Sequence, residues 1–218
     1  VFSISDDSGT TVRQVYFSKG NLYYTNGAYA FQDDQWGYVN SSATSGTTYD
    51  KFAQSVAQGY TGASSSSISG FSRKWYNLTD NEWCYLLNIA KGSNSTSSVG
   101  TRKGTASGWH YSKAVVHSVN GLVILPDGMN TTNEALLPNH DAPATDFAAI
   151  SDEDWSTLEA AGCVFLPCAG HSSGGLGTGG GYWSSTSGNR CLDFSSGNVY
   201  SLNNYGRSES VRLAVVVE

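Results

Sequence analysis

The sequence predicts an α+β fold in which two helices interrupt a mostly β chain. Two helix starts carry capping-box spacing, Thr79 with Glu82 and Ser151 with Asp154, each followed by an apolar stretch. Elsewhere, short apolar runs alternate with turns of glycine, asparagine and serine, which is typical of short strands joined by tight loops. Regular strand–helix alternation is missing from the sequence, which favours the α+β class over the α/β class.

The first 72 residues predict strands followed by a long polar segment. In the β-like region 1–40, Asn26-Gly27 stands between alternating apolar residues and predicts a tight hairpin. Residues 41–72 are rich in serine, glycine and threonine, and within them 49–56 predicts a short helix with Phe52 and Val56 on one face. We expect the rest of this segment to form a long loop.

Two further helices have clearer start and stop signals. The first begins after Thr79, with Leu78 as its hydrophobic staple, and is expected to end at Gly92. The second covers 152–161 and is expected to end at Gly162, because glycine readily closes a helix. Predicted strands cover 113–117, 121–125, 163–167, 182–185, 191–194, 199–202 and 211–217, with a turn over 118–121.

Charge and hydropathy argue against two classes of partner. The chain has 12 Lys and Arg against 18 Asp and Glu, a net charge of −6, and no basic run. Nucleic-acid binders carry a basic patch or stripe, so we expect no nucleic-acid partner. Apolar stretches such as 121–125 are far shorter than the roughly 18 residues of a membrane helix, so we expect no direct membrane insertion.

The cysteines and histidines match no metal or redox motif. None of the cysteines (Cys84, Cys163, Cys168 and Cys191) forms a C-x-x-C pair, and the histidines lack metal-ligand spacing. We predict that Cys84 and Cys163 are small buried residues, and one disulfide bridge among the four stays an open alternative. The sequence therefore predicts no metal and no cofactor.

One stretch matches a catalytic motif without its structural context. Gly170 to Gly174 fits the G-x-S-x-G nucleophile elbow of hydrolases. That elbow needs a helix directly after it, and the glycine-rich stretch 174–181 cannot begin one. We therefore expect no hydrolase site here.

Five sequence blocks resemble those of a known protein family and occur in the same order. They are KWYNLTDNEWCYLL (74–87), GLVILPD (121–127), WSTLEAAGCVFLP (155–167), YWSST (182–186) and SVRL (210–213). Together they resemble C-type-lectin-fold domains of bacteria and phages, and the nearest type is the variable protein of diversity-generating retroelements. Formylglycine-generating enzymes share this fold. The resemblance implies one domain over 1–218, with two helices around a twisted antiparallel β core and long irregular C-terminal loops.

In the variable proteins, adenine-directed mutagenesis rewrites a C-terminal stretch, which the resemblance places at 182–213. Alternating apolar positions would hold the scaffold: Leu192, Phe194, Val199 and Leu202. The candidate ligand-binding residues are the mainly polar and aromatic positions around them: Asn189, Arg190, Cys191, Asp193, Asn198, Tyr200, Ser201, Asn203, Asn204, Tyr205, Arg207 and Ser208.

Two differences from the wider family argue against two of its functions, calcium-dependent sugar binding and catalysis. Calcium-dependent lectins carry E-P-N or Q-P-D and W-N-D, whereas this chain has Leu137-Pro138-Asn139 and Trp183-Ser184-Ser185, which lack the carboxylates that calcium needs. Formylglycine-generating enzymes need a C-terminal thiol pair and an R-G-G-S-W-type block, and here only Cys191 lies in that stretch. We therefore expect neither a calcium-dependent sugar site nor an enzyme.

The resemblance implies a receptor-recognition protein. Tyrosines such as Tyr200 and Tyr205 offer contact area at low entropic cost, and Arg190 and Arg207 offer forked hydrogen bonds. The expected partner is a protein or glycan on another cell or phage host, and the expected location is extracellular, on a bacterial cell surface or a phage virion. The alternative is a fixed structural or pilus-associated adhesion domain of the same fold, without a diversified site. The oligomeric state stays open.

Overall fold

The computed structural model describes residues 1–5, 12–39, 41, 47–60, 68, 74–91, 100, 102–172, 174–204 and 206–217. They form a mixed α+β fold of short strands and a few short helices, which confirms the predicted class. Within these residues, no helix is long and apolar enough to cross a membrane. The helices are α1 (Gln54–Gln58), α2 (Asp80–Leu87), α3 (Thr131–Glu134) and α4 (Asp152–Ala160). The strands are β1 (Phe2–Ser5), β2 (Val12–Phe17), β3 (Leu22–Thr25), β4 (Ala28–Phe31), β5 (Thr48–Tyr49), β6 (Tyr111–Val116), β7 (Val119–Ile124), β8 (Ala148–Ala149), β9 (Val164–Pro167), β10 (Gly179–Trp183), β11 (Arg190–Ser195), β12 (Asn198–Asn203) and β13 (Ala214–Val216).

The described strands assemble into four small sheets. Their orders are β1-β2-β13, β4-β3-β5, β8-β6-β7-β9 and β10-β11-β12. The predicted hairpin is confirmed, because Asn26 and Gly27 take left-handed φ values of 49° and 87° between β3 and β4. Such paired positive φ values match the right-handed twist of the flanking strands.

The turn predicted over 118–121 is wrong. The hairpin of β6 and β7 instead turns at His117 and Ser118, both with positive φ, so the strands are longer than predicted. Gly121 lies inside β7, opposite Ala114. It is needed there because a Cβ atom at this position would overlap the Phe165 ring.

Helix α2 begins as predicted and ends earlier. Thr79 and Glu82 form the complete capping box. The helix stops at Leu87, where Asn88 takes the left-handed conformation with φ 51°, and the predicted stop at Gly92 lies outside the described residues. Asparagine closes a helix in this way more readily than most residues.

The other helices agree with the sequence in part. Ser151 caps α4 through the Asp154 backbone N–H, but the Asp154 side chain accepts from the Ser151 hydroxyl, so the second capping box is only half formed. Gly162 follows α4 with φ 94°, as predicted. Helix α1 starts later than the predicted 49–56, because Tyr49 belongs to β5, and α3 was not predicted.

Three hydrophobic clusters fill the interior. The first packs α2, through residues such as Trp83, against β1, β2 and the sheet β10-β11-β12. The second joins α4 to β6, β7 and β9 around Trp155 and Phe165. The third gathers Phe52 and Trp183 with the chain near Val211. The sheet β10-β11-β12 contributes to the first and third clusters and is therefore fixed from both sides.

Candidate functional site

The sheet β10-β11-β12 carries most of the predicted binding residues. Its antiparallel register pairs Gly181 with Asp193, and Asp193 with Tyr200. Side chains of successive residues point to opposite faces of a strand, so these three positions share one face. We call this the outer face; the opposite side, which carries Phe194, is the inner face.

The inner face is locked into the core. Leu192, Phe194 and Val199 belong to the first cluster and are buried, as predicted for scaffold positions. The assignment of Leu202 to the same alternation is wrong. It pairs with Cys191 on the outer side and packs against the third cluster, because residues 199 and 202 are three apart and a strand has a period of two.

The structure divides the candidate ligand-binding residues by exposure. Eight are at least partly exposed: Asn189, Arg190, Asp193, Asn198, Tyr200, Asn203, Arg207 and Ser208. Three are buried: Cys191 and Ser201 at 0% exposure, and Asn204 at 5%. Tyr205 lies outside the described residues.

The three buried positions are not available to a partner on this surface. Ser201 donates its hydroxyl hydrogen to Asp80 of α2, and Asn204 donates its amide hydrogens to Glu209 and, at 3.7 Å, to the Cys191 sulfur. Their polar groups are therefore engaged inside the protein. The prediction that Cys191, Ser201 and Asn204 belong to the binding surface is therefore wrong, because all three are buried.

Six of the eight exposed candidates fall into two groups, and Arg207 and Ser208 lie in the loop after β12. Asn189, Arg190 and Asn203 lie where β11 begins and β12 ends, and the Asn189 backbone N–H donates to the Gln54 amide oxygen at 2.8 Å. Arg190 Nε lies 3.9 Å from an Asp80 carboxylate oxygen. Asp193, Asn198 and Tyr200 lie along the outer face, so the predicted residues do not form one continuous patch.

A turn missed by the sequence reasoning borders the outer face. The Ser172 backbone N–H donates to the Ser208 carbonyl at 3.0 Å, and the Ser208 N–H donates to the Ser172 hydroxyl at 2.8 Å. These bonds hold the loop of Arg207 beside His171. Burial, and then the charges of Arg207 and Lys51, lower the pKa of His171. The sequence signal for this turn is the 170–174 motif, which adjoins the site and is followed by the glycine-rich stretch 174–181.

Glu209 is a second feature of this surface that the sequence does not predict. Its backbone exchanges hydrogen bonds with Phe52 at 2.9 and 3.1 Å, and its carboxyl group lies over Gly181 on the outer face. One carboxyl oxygen accepts from Asn204, and the other, Oε2, is buried without a hydrogen-bond partner. Burial first, and then the Asp193 charge, raise the pKa of Glu209 to about 8, against the opposing effect of Arg207 and Lys51. A glycine within β10 was the only signal for this arrangement.

Three charged residues near Glu209, which are Lys51, Asp193 and Arg207, differ in burial and in their polar contacts. Lys51 Nζ lies 3.1 Å from Asp50 and 3.4 Å from the Ser210 hydroxyl, and burial lowers its pKa. Burial raises the pKa of Asp193, and the Arg207 charge opposes that rise. Arg207 itself is exposed. The outer face and the adjoining loop of Arg207 therefore combine carboxyl, guanidinium, phenol and amide groups.

The cysteines offer no activated nucleophile. All four are free and buried. Burial raises the pKa of Cys84, Cys163 and Cys168 to about 12 and that of Cys191 further, whereas reactive cysteines have a lowered pKa. Among the described residues, no group of three or more His, Cys, Asp or Glu is arranged to hold a metal ion.

No family model, no curated protein and no solved structure matches this chain.

Proposed function

We propose that this chain is a ligand-binding surface protein of the C-type lectin fold, whose region 182–213 is diversified by a retroelement. It would act without calcium and without catalysis, outside the cell, on a bacterial surface or a phage virion. Its partner would be a protein or glycan on another cell or phage host. The five sequence blocks that resemble the variable proteins support the family.

One observation carries the proposal: in the middle of the sheet β10-β11-β12, buried scaffold positions alternate with partly exposed side chains. Leu192, Phe194 and Val199 are buried against the core, while Asp193 and Tyr200 are half-exposed on the other face of the same strands. Exposed side chains on strands whose other face is buried can change with little effect on the fold. A rigid frame also lowers the entropic cost of binding.

A second candidate is a fixed adhesion domain of the same fold. The polar contacts that β11 and β12 make with α2 support this candidate. Ser201 donates a hydrogen bond to the buried Asp80, and Arg190 lies close to the same carboxylate. Random replacement at these positions would leave a buried charge without its partners, which is strongly destabilising. Under this candidate, the face is constant and carries no diversified site.

The binding experiment uses an array of bacterial surface glycans and surface proteins probed with the labelled chain. Tyr200→Ala removes a partly exposed side chain of the outer face, Arg207→Ala removes an exposed side chain of the adjoining loop, and Glu153→Ala removes an exposed side chain of α4 as the control. We expect Tyr200→Ala to weaken binding roughly tenfold or more, as truncation of an interface aromatic does, with the control unchanged. EDTA should have no effect. Binding that responds to none of the outer-face variants would contradict the proposal.

A further inference from the structure

One buried lysine ties the tip of the hairpin β11-β12 to the neighbouring sheet. Lys113 of β6 is 0% exposed, and its ammonium group donates to the carbonyl oxygens of Pro143, Thr145 and Ser196. The distances are 3.2 Å to Thr145 and 3.0 Å to Ser196. Ser196 lies in the turn between β11 and β12. The ammonium group therefore connects the loop 143–145 with the tip of the hairpin that carries part of the outer face.

The three carbonyl groups use every hydrogen of the Lys113 ammonium group. An ammonium group donates three hydrogen bonds and accepts none. In the part of the chain that the structure describes, no carboxylate oxygen lies within 4 Å of Lys113 Nζ. The Phe147 ring centroid lies 5.9 Å from it. Because a neutral amine has only two N–H groups, loss of the proton breaks at least one of the three bonds.

The bond to Ser196 is the one that we expect to break. The loop 143–145 holds the nitrogen through two carbonyl groups, whereas the hairpin tip holds it through one. The tip also borders an open cavity of about 240 Å³, lined by Asn120, Asp146, Phe147, Thr178 and Ser196. Water in this cavity can donate to the Ser196 carbonyl once the lysine no longer does.

Burial brings the proton of Lys113 into a moderate pH range. It lowers the pKa of Lys113 to about 8, against the opposing effects of Cys168 and Asp146. Cys168 follows β9 and has a pKa of about 12, so its thiol stays neutral in this range. Asp146 is exposed on the loop side of the cavity. The bond to the hairpin tip is therefore complete below pH 8 and is lost as the pH rises through 8.

We propose that Lys113 is a pH-sensitive latch that docks the tip of the hairpin β11-β12 and so orients Asn198 on the outer face. Asn198 is half-exposed and follows Ser196 by two residues. The rest of the hairpin stays in place when the latch opens, because Phe194 and Val199 are packed in the core. This inference rests on the proposed function, because it assigns a regulation to the same binding face.

NMR of the whole chain between pH 6.5 and 9.5 tests the latch. The carbon-13 signal of Lys113 Cε follows its proton, and the backbone amide signals of Gly197 and Asn198 follow the tip. We expect both to change with one shared midpoint near pH 8, while Asn203, at the other end of β12, shows no such step. Tip signals that stay constant while Lys113 titrates, or a Lys113 that keeps its proton through pH 9.5, overturn the proposal.

Variants assign the step to Lys113. Lys113→Met removes the donors, so its tip signals at pH 7 should match those of the original protein at pH 9.5. Lys113→Arg stays charged, so its tip should stay docked throughout. Lys103→Met, at an exposed position, is the matched control.

One nearby group, Glu209, also has a pKa of about 8. Glu209→Gln removes it, and the step at the tip should persist. A step that survives in Lys113→Met or disappears in Glu209→Gln overturns the latch. The original protein and Glu209→Gln decide the question even where a Lys113 variant fails to fold.

Binding separates this inference from the proposed function. One pH unit below the midpoint about nine tenths of the molecules are docked, and one unit above it about one tenth are, so an array partner that needs the docked tip should bind roughly tenfold more weakly at pH 9 than at pH 7. Lys113→Arg should lose this effect. A partner that depends on Tyr200 and responds to pH equally in the original protein and in Lys113→Arg would uphold the binding face and overturn the regulation. A tip that follows Lys113, with no array partner dependent on the outer face, would uphold the latch and contradict the proposed function.

Discussion

Replacing Glu209 by glutamine removes an ionisable group from a buried position without changing its shape. The side chain is 0% exposed, and its pKa rises from 4.5 to about 8 because burial and the Asp193 charge disfavour ionisation. Glutamine keeps one oxygen to accept from Asn204. The variant therefore isolates the effect of charge on stability.

The direction follows from the order of the two pKa values. The folded-state pKa of Glu209 lies above that of the unfolded chain, so folding takes up a proton between pH 4.5 and about 8. The resulting stabilisation is fully present below pH 4.5 and is lost as the pH rises through 8. At about 1.4 kcal/mol per pH unit, the separation of the two values corresponds to about 5 kcal/mol.

Urea unfolding of both proteins at pH 5, 7 and 9 measures this difference. We expect nearly equal free energies of unfolding at pH 5, and a Glu209→Gln variant more stable than the original by about 4–5 kcal/mol at pH 9. Glu153→Gln, at an exposed position of α4, should follow the original protein at every pH. Parallel curves for the original protein and Glu209→Gln from pH 5 to 9 would refute the reasoning.

Three other predictions concern the frame of the site. Gly121→Ala should lower the free energy of unfolding by about 1–3 kcal/mol, because the new Cβ overlaps the Phe165 ring, and an unchanged urea midpoint would contradict this packing. Thr79→Ala removes the cap of the Glu82 N–H and should destabilise by about 1 kcal/mol in thermal unfolding; no loss would mean that the capping box is unimportant. The four buried thiols should not react with Ellman's reagent in the folded protein and should all react in denaturant, whereas rapid reaction of a folded thiol would contradict their burial.

Features set by local chemistry were predicted from the sequence. Asn26-Gly27 forms its hairpin and Thr79 its capping box because both depend on residues a few positions apart. The turn at His117 and Ser118 was missed because neither residue is glycine, although both take positive φ. The sequence predicted the turn at 118–121 because Gly121 resembles a turn residue. In the structure, Gly121 lies inside β7 and makes room for the Phe165 ring.

The sequence predicted the buried strand positions beneath the candidate site but not the tertiary contacts around it. Strand periodicity was enough to place Phe194 and Val199 in the core. It could not show that Ser201 is buried, because its partner Asp80 lies 121 residues away in the chain. Glu209 was missed for the same reason, since its position depends on a glycine in β10 and on Asn204 in the following loop. Such contacts follow from the tertiary arrangement and leave no periodic pattern in the sequence.

The central claim is that the exposed residues of region 182–213 form a diversified binding face. Sequencing the DNA around the gene tests it most directly. We predict a near-repeat of codons 182–213 beside a reverse-transcriptase gene, with differences concentrated at adenines. The differing codons should include those of outer-face residues such as Asp193 and Tyr200 and should spare the buried positions Leu192, Phe194 and Val199. A locus with neither the repeat nor the reverse transcriptase would contradict the claim and leave a fixed adhesion domain.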